Sequence, residues 1–262
     1  MNAVIVPPSL RTPPSGRADR RVFFAISALL FGACATATVL SSASMSDMGE
    51  MPMPGGWTMS MLWMRMPGQT WLGTGAAFLA MWTVMMVAMM LPSIAPALWR
   101  WSTRIRDRGR LALIAAGYFS IWIALGVGVF LVGVALAALA MNASEIARAT
   151  PITGGVVVLV AGALQFTRWK AHHLALCREV WATPRNAAAA LKCGLRLGLH
   201  CSLSSAGLTA ILLIVGLMDL RVMAAVTAAI TIERLAPDGQ RVARAIGAAV
   251  LVAGMALVIS AV

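Results

Sequence analysis

Trp71-Leu-Gly-Thr-Gly-Ala-Ala-Phe-Leu-Ala-Met-Trp-Thr-Val-Met-Met-Val-Ala-Met-Met-Leu-Pro-Ser-Ile-Ala-Pro-Ala-Leu-Trp99 runs for 29 residues without a charged side chain. A helix that crosses the hydrocarbon of a bilayer needs about 20 apolar residues, so this stretch reads as a transmembrane span. Working outward, six further apolar runs share its character: Val22–Leu40, Leu111–Ala140, Ile152–Phe166, Leu195–Met218, Val222–Leu235 and Ala243–Val262. The fourth and sixth in chain order are short, and a re-entrant or tilted partial span is the alternative for each. The expected fold is all-α: a polytopic transmembrane bundle of about seven spans. Composition agrees, with 60% hydrophobic and only 11% charged residues, whereas a soluble domain carries about 25% charge.

The basic residues set the orientation. With the N-terminus cytoplasmic, 18 of the 21 Lys and Arg fall inside: in the tail 1–21, the loop 100–110, the region 167–196 and the short stretch 234–244. Arg65, Arg148 and Arg221 fall outside. This asymmetry follows the positive-inside rule, favours seven spans over six and leaves the C-terminus outside. The expected location is a plasma membrane, the inner membrane of a Gram-negative cell. The net charge of +12 is therefore a topology signal, and no module for nucleic acid accompanies it. Residues 1–21 are rich in Pro, Ser and Arg and are expected to be disordered. Arg17–Arg21 before an apolar run also fits a signal peptide, but a leader this long and proline-rich favours an uncleaved span.

Methionine is the compositional anomaly. Eight of eighteen lie in Met45–Met66, within the outer loop 41–70. Pro52, Pro54, Gly55 and Gly56 break any helix there, so these thioethers have no evident core to fill. Thioether sulfur selects Cu(I), and Met48, Met51, Met53, Met59 and Met61 are the candidate capture ligands. The following span continues the theme. Met81, Met85 and Met89 share one helical stripe, with Met86 and Met90 on the next. Such a ladder can pass a soft cation inward; equally, Met is an adaptable filler of helix interfaces.

In the inner loop 167–194, His173 and Cys177 are spaced i,i+4 and face the same way on a helix. Imidazole plus thiolate is a half-site for copper or, less favoured, zinc. Cys193, His200 and Cys201 follow within 25 residues and can complete it at the inner face. The plainer reading is interfacial His and buried Cys without metal. The four cysteines lack the spacing of a disulfide scaffold. Glu233 is the candidate intramembrane ionisable group, with an ion pair to Arg234, or Arg234 facing lipid at the interface, as the plainer account. No Ser/His/Asp set, phosphate-binding glycine loop or paired carboxylates are present, so no enzymatic activity is expected.

Several of these residues form a pattern. Trp82-Thr-Val-Met-Met-Val-Ala-Met-Met-Leu-Pro92, Gly117-Tyr118 with Trp122, Gln165, Lys170, His173-Leu174, Cys177-Arg178, Gly194, Gly198, Cys201, Gly216 to Leu220, Met223 and Glu233-Arg234 together resemble a bacterial family of predicted metal-binding integral membrane proteins, a domain of unknown function. The resemblance covers roughly Trp71 to Pro237 and implies a metal role. Two departures stand out. His173 replaces a usual Cys, and Leu203-Ser204-Ser205-Ala206 replaces a usual Gly-Cys-Cys-Trp run. If those cysteines are the family's metal site, this member has lost it, altered its metal, or shifted the work to methionine and His200.

The expected function is soft-metal handling, copper foremost: capture at the outer Met-rich loop and transfer through the bundle. The alternative is a metal-free structural or assembly subunit, partnered by another membrane complex or by copies of itself. The lipid bilayer is the partner common to both.

Overall fold

The computed structural model describes residues 17–47, 50–54, 57–60, 63–65, 68–105, 107–179, 183–217 and 219–261. Eight helices and one hairpin make up these residues: α1 (Arg17–Asp47), β1 (Glu50–Met53), β2 (Trp57–Ser60), α2 (Trp71–Ser102), α3 (Arg108–Asn142), α4 (Ser144–Leu164), α5 (Arg168–Arg178), α6 (Ala187–Val215), α7 (Leu220–Leu235) and α8 (Gly239–Ala261). Six of the helices, α1 to α4, α6 and α8, are long and apolar enough to cross a membrane. The fold is the expected all-α transmembrane bundle.

Each expected span is found as a helix, generally longer than its apolar run because helical hydrogen bonding continues past the hydrophobic limit. The fourth begins at Ser144 rather than Ile152 and runs through Pro151, so it is not a short segment. The sixth, α7, has 16 residues. At 1.5 Å per residue it covers about 24 Å, short of the roughly 30 Å hydrocarbon thickness.

Local chemistry fixes the helix starts. Thr70, Asp107, Thr167, Asn186 and Asp219 each accept a backbone N–H of the first turn through a side-chain oxygen, satisfying donors that a helix leaves open. Gly216, at φ 138°, ends α6 in a conformation open to glycine and lets the chain turn into α7.

Three helix pairs build the bundle: α3 against α6, α4 against α8, and α1 along α2. Small residues permit the first two. A Cβ on Gly117 would stand 2.7 Å from the Leu191 carbonyl oxygen, and one on Gly198 2.7 Å from that of Tyr118. A Cβ on Gly194 would run into the Ile114 carbonyl. Without a hydrophobic force between helices in lipid, such close backbone approach supplies the packing. The core centres on α2, with Phe78, Trp82, Met85, Met86, Met89 and Met90 all buried against Ile114, Tyr118 and Trp122 of α3 and Leu197, Cys201 and Leu208 of α6. Trp82 Nε1 donates to the Trp122 carbonyl at 2.8 Å.

The Met-rich segment corrects an expectation. Residues 50–53 and 57–60 of it pair as an antiparallel hairpin, not an irregular loop, with Met51 opposite Met59 and Met53 opposite Trp57, and Met45 falls in α1. Alternation along the two strands puts these four side chains on one face. That face packs on Ala137, Ala140 and Ala147 at the corner between α3 and α4, and Trp57 Nε1 donates to the Ala147 carbonyl at 2.8 Å. Methionine there does have something to fill.

Candidate metal centre

Two ends of the bundle are chemically distinct. The hairpin closes one. The other carries the arginine-rich α2–α3 connection and α5, and is called the basic end below. α5 lies across it with Lys170, Leu174 and Cys177 buried. Their i, i+4, i+7 spacing is one helical stripe, so the sequence of α5 dictates which side chains enter the bundle.

That stripe meets a polar cluster inside the apolar core. Lys170 Nζ lies 2.6 Å from Glu233 Oε2, with side chains 4% and 2% exposed. Lys170 Nζ also donates to the Ser204 carbonyl at 2.5 Å. Cys177 Sγ lies 3.7 Å from Ser204 Oγ. Ser204 and Ser205 hydroxyls both donate to the Cys201 carbonyl, at 2.9 and 2.8 Å. Cys201 Sγ is 3.0 Å from the Tyr118 hydroxyl. Arg234, also buried, donates from Nη1 to Ser93 Oγ at 2.8 Å, and its charge acts on Tyr118, Cys177 and Cys201. Ser93 and Tyr118 stand about 13–15 Å along the helix axes from the basic ends of α2 and α3. The cluster is thus well inside the bundle.

Two expectations about Glu233 and Arg234 are corrected. Adjacent helical residues point about 100° apart, so Glu233 pairs not with Arg234 but with Lys170, 63 positions away. Arg234 turns inward rather than to lipid. Among the described residues no carboxylate pairs with Arg234. Lys170 and Glu233 cancel, so the cluster keeps one uncompensated positive charge acting on two thiols and a phenol. Burial pushes the Cys177 thiol up to about 11, against the pull of Arg234.

The other donors expected for an inner site lie apart. His173 and His200 bring their Nδ1 atoms within 3.0 Å, and Trp169 meets the His173 ring edge-on. Burial, and then the charge of His172, hold His173 below the usual imidazole range. Cys193 is buried elsewhere on α6. The donors thus divide into an imidazole pair and a thiol cluster, and among the described residues no three of His, Cys, Asp and Glu gather as a metal-binding group.

The methionines fall into three sets. On α2, Met85 and Met89, with Met86 and Met90, are at most 2% exposed, and Met81 is half-buried. The column runs along α2 to Ser93, whose hydroxyl donates to the Met90 carbonyl at 2.8 Å. In the hairpin, Met53 and Met59 are buried and Met51 half-buried. Met48 and Met61 lie outside the described residues. Lys170, Tyr118, Ser93 and Arg234 are the members of the cluster that ligand spacing alone missed. The first two and Arg234 were marked by the family pattern, Arg234 also as the plainer partner of Glu233, and nothing in the sequence pointed to Ser93.

Two thiols and a column of thioethers suit Cu(I), whereas a closed structural zinc site takes four His or Cys ligands. A family model described as PpoB2, copper chaperone, matches residues 79–257. No curated protein and no solved structure matches the chain. The matched region holds the α2 methionines, the imidazole pair and the whole thiol cluster, and agrees with a metal-related family. As it covers 179 of the 262 residues, the protein belongs to this copper chaperone family.

Proposed function

We propose that the protein carries Cu(I) within the inner membrane, from a Met-rich outer segment, along the α2 thioether column, to Cys177 and Cys201. The N-in orientation comes from the distribution of basic residues, which puts the hairpin outside and the basic end at the cytoplasm. The observation that carries the reading is the continuity of the buried column with the thiols. Met89 and Met90 lead to Ser93, Ser93 is held by Arg234, and the charge of Arg234 acts on both cysteines.

Charge supports the same endpoint. Cu(I) with two thiolates carries one net negative charge, which the guanidinium of Arg234 neutralises. A thiolate is the metal-binding form, and a neighbouring cation favours it. Serine at 204 and 205 adds hydroxyls but no further sulfur, so the site stays two-coordinate in thiol. His173 and His200, on the same two helices as Cys177 and Cys201, form a separate imidazole pair. The protein would hold and hand on copper rather than transform a substrate.

The test is Cu(I) stoichiometry and affinity of the purified protein in lipid nanodiscs, measured under reductant by competition with a chromogenic chelator. Cys177→Ser with Cys201→Ser should remove the tightest site. Met85→Leu with Met89→Leu should slow loading while leaving that site. Changing Met48, Met51, Met53, Met59 and Met61 to Leu tests capture. Full copper retention at native affinity in the cysteine pair variant would sink the endpoint; unchanged loading in the five-Leu variant would sink the capture role.

A further inference from the structure

A second polar feature lies at the basic end, on the other side of Lys170 from the thiols. The corner between α4 and α5 opens into a cavity of about 220 Å³ lined by Gln165, Phe166, Arg168, Lys170, Gln240 and Arg244, among others. Gln165 is only 5% exposed, and its Oε1 has no hydrogen-bond partner among the described residues. A buried acceptor left without a donor costs on the order of 1–3 kcal/mol, so its place on the cavity wall calls for a donor from a ligand.

The remaining walls call for an anion. Arg168 and Arg244 are exposed at the cavity, and no carboxylate pairs with either among the described residues. The eleven-residue α5 starts there. Thr167 Oγ1 caps the N–H of Lys170, which leaves those of Arg168 and Trp169 without intrahelical acceptors, and the helix dipole adds positive potential. The ammonium of Lys170 is committed to Glu233 and the Ser204 carbonyl and leaves the anion to the arginines. Phe166, 46% exposed, presents aromatic surface at the cavity, as interfacial aromatics do at headgroup level.

We propose that this cavity binds the headgroup of an anionic phospholipid with free hydroxyls, of the phosphatidylglycerol class. The phosphodiester sits between Arg168, Arg244 and the α5 N-terminus, a glycerol hydroxyl donates to Gln165 Oε1, and the acyl chains pass Phe166. Basic pockets between membrane helices at the cytoplasmic face recognise anionic headgroups in this way. The location in the inner leaflet rests on the orientation proposed above; the copper path does not enter the argument.

Native mass spectrometry of the full chain, released from micelles doped with one lipid at a time, tests the site. Phosphatidylglycerol should remain bound, phosphatidylethanolamine should not, and phosphatidic acid, which lacks the glycerol hydroxyls, should bind more weakly. Each of Arg168→Ala and Arg244→Ala should reduce retention about fivefold, while Arg168→Lys with Arg244→Lys should retain it. Gln165→Leu should erase the preference for phosphatidylglycerol over phosphatidic acid. The thermal unfolding midpoint in lipid-free micelles should be unchanged in all of them and reports that each variant is folded. Equal retention of phosphatidylethanolamine, no loss in the double alanine variant, or displacement of the lipid by millimolar free glycerol phosphate would overturn the proposal.

Discussion

Lys170 and Glu233 face each other at 2.6 Å inside the bundle, and both side chains are almost wholly removed from solvent. The pair ties α5, which lies across the basic end, to α7 in the interior. Removing one partner of such a pair leaves a bare buried charge and costs about 3–5 kcal/mol. Lys170→Met should therefore lower the unfolding midpoint in mixed micelles sharply. Lys170→Met with Glu233→Leu should recover most of the loss, because no orphan charge remains. Equal loss in the single and double variants would mean that the pair acts through packing alone.

Cys177 gives the pH dependence. Its folded thiol is raised to about 11, above the ordinary thiol range of about 8.5. Its contribution to stability is full below the unfolded value and is lost as pH rises from there through 11. The same shift means that copper must displace a proton at neutral pH. Cu(I) affinity should rise with pH between 6 and 8, by up to about tenfold per unit for each thiol proton displaced. Chelator competition at three pH values reads the slope, and a flat profile in the wild type would exclude thiol ligation.

Met59 separates packing from ligation in the hairpin. It is 4% exposed against the alanines of α3 and α4. Met59→Leu keeps the volume and should cost less than about 1.5 kcal/mol, whereas Met59→Ala should cost about 2–5 kcal/mol. Limited proteolysis between residues 45 and 70 should accelerate in the alanine variant alone.

Gly194 marks the closest approach of α6 to α3. A methyl group there meets the Ile114 carbonyl, and neither backbone can move without opening the interface. Gly194→Ala should destabilise by about 1–3 kcal/mol. Gly128→Ala, with open space around its Cβ position, is the control in the same unfolding assay and should change little.

Hydropathy made the membrane helices legible because the bilayer imposes a length and an apolarity on any segment that crosses it. It left α7 ambiguous, and the structure shows why: 16 residues are enough to reach Arg234 but fall short of the full hydrocarbon thickness. The two-faced character of the hairpin was hidden. Its alternation of Met and Trp with polar residues spans only four residues per strand, and the prolines and glycines dominate any local reading. The site was legible only in parts. Cys177, Cys201 and Glu233 were visible by residue type, but their partners Ser204, Tyr118 and Lys170 depend on contacts across 27 to 83 positions. The spacing of His173 and Cys177 suggested one site; α6 receives them separately, one at His200 and the other at Ser204.

Among the described residues no carboxylate balances the guanidinium that Arg234 lodges in the bundle. With both thiols protonated, the Arg234 cluster bears one positive charge; on the proposed mechanism, loading copper and releasing two protons makes it neutral. The anionic unit of one copper and two thiolates then acts as counter-ion to the guanidinium, so occupancy and fold stability rise together. A loaded carrier should resist unfolding better than an empty one, and handing copper on requires the recipient side to return two protons for each ion taken.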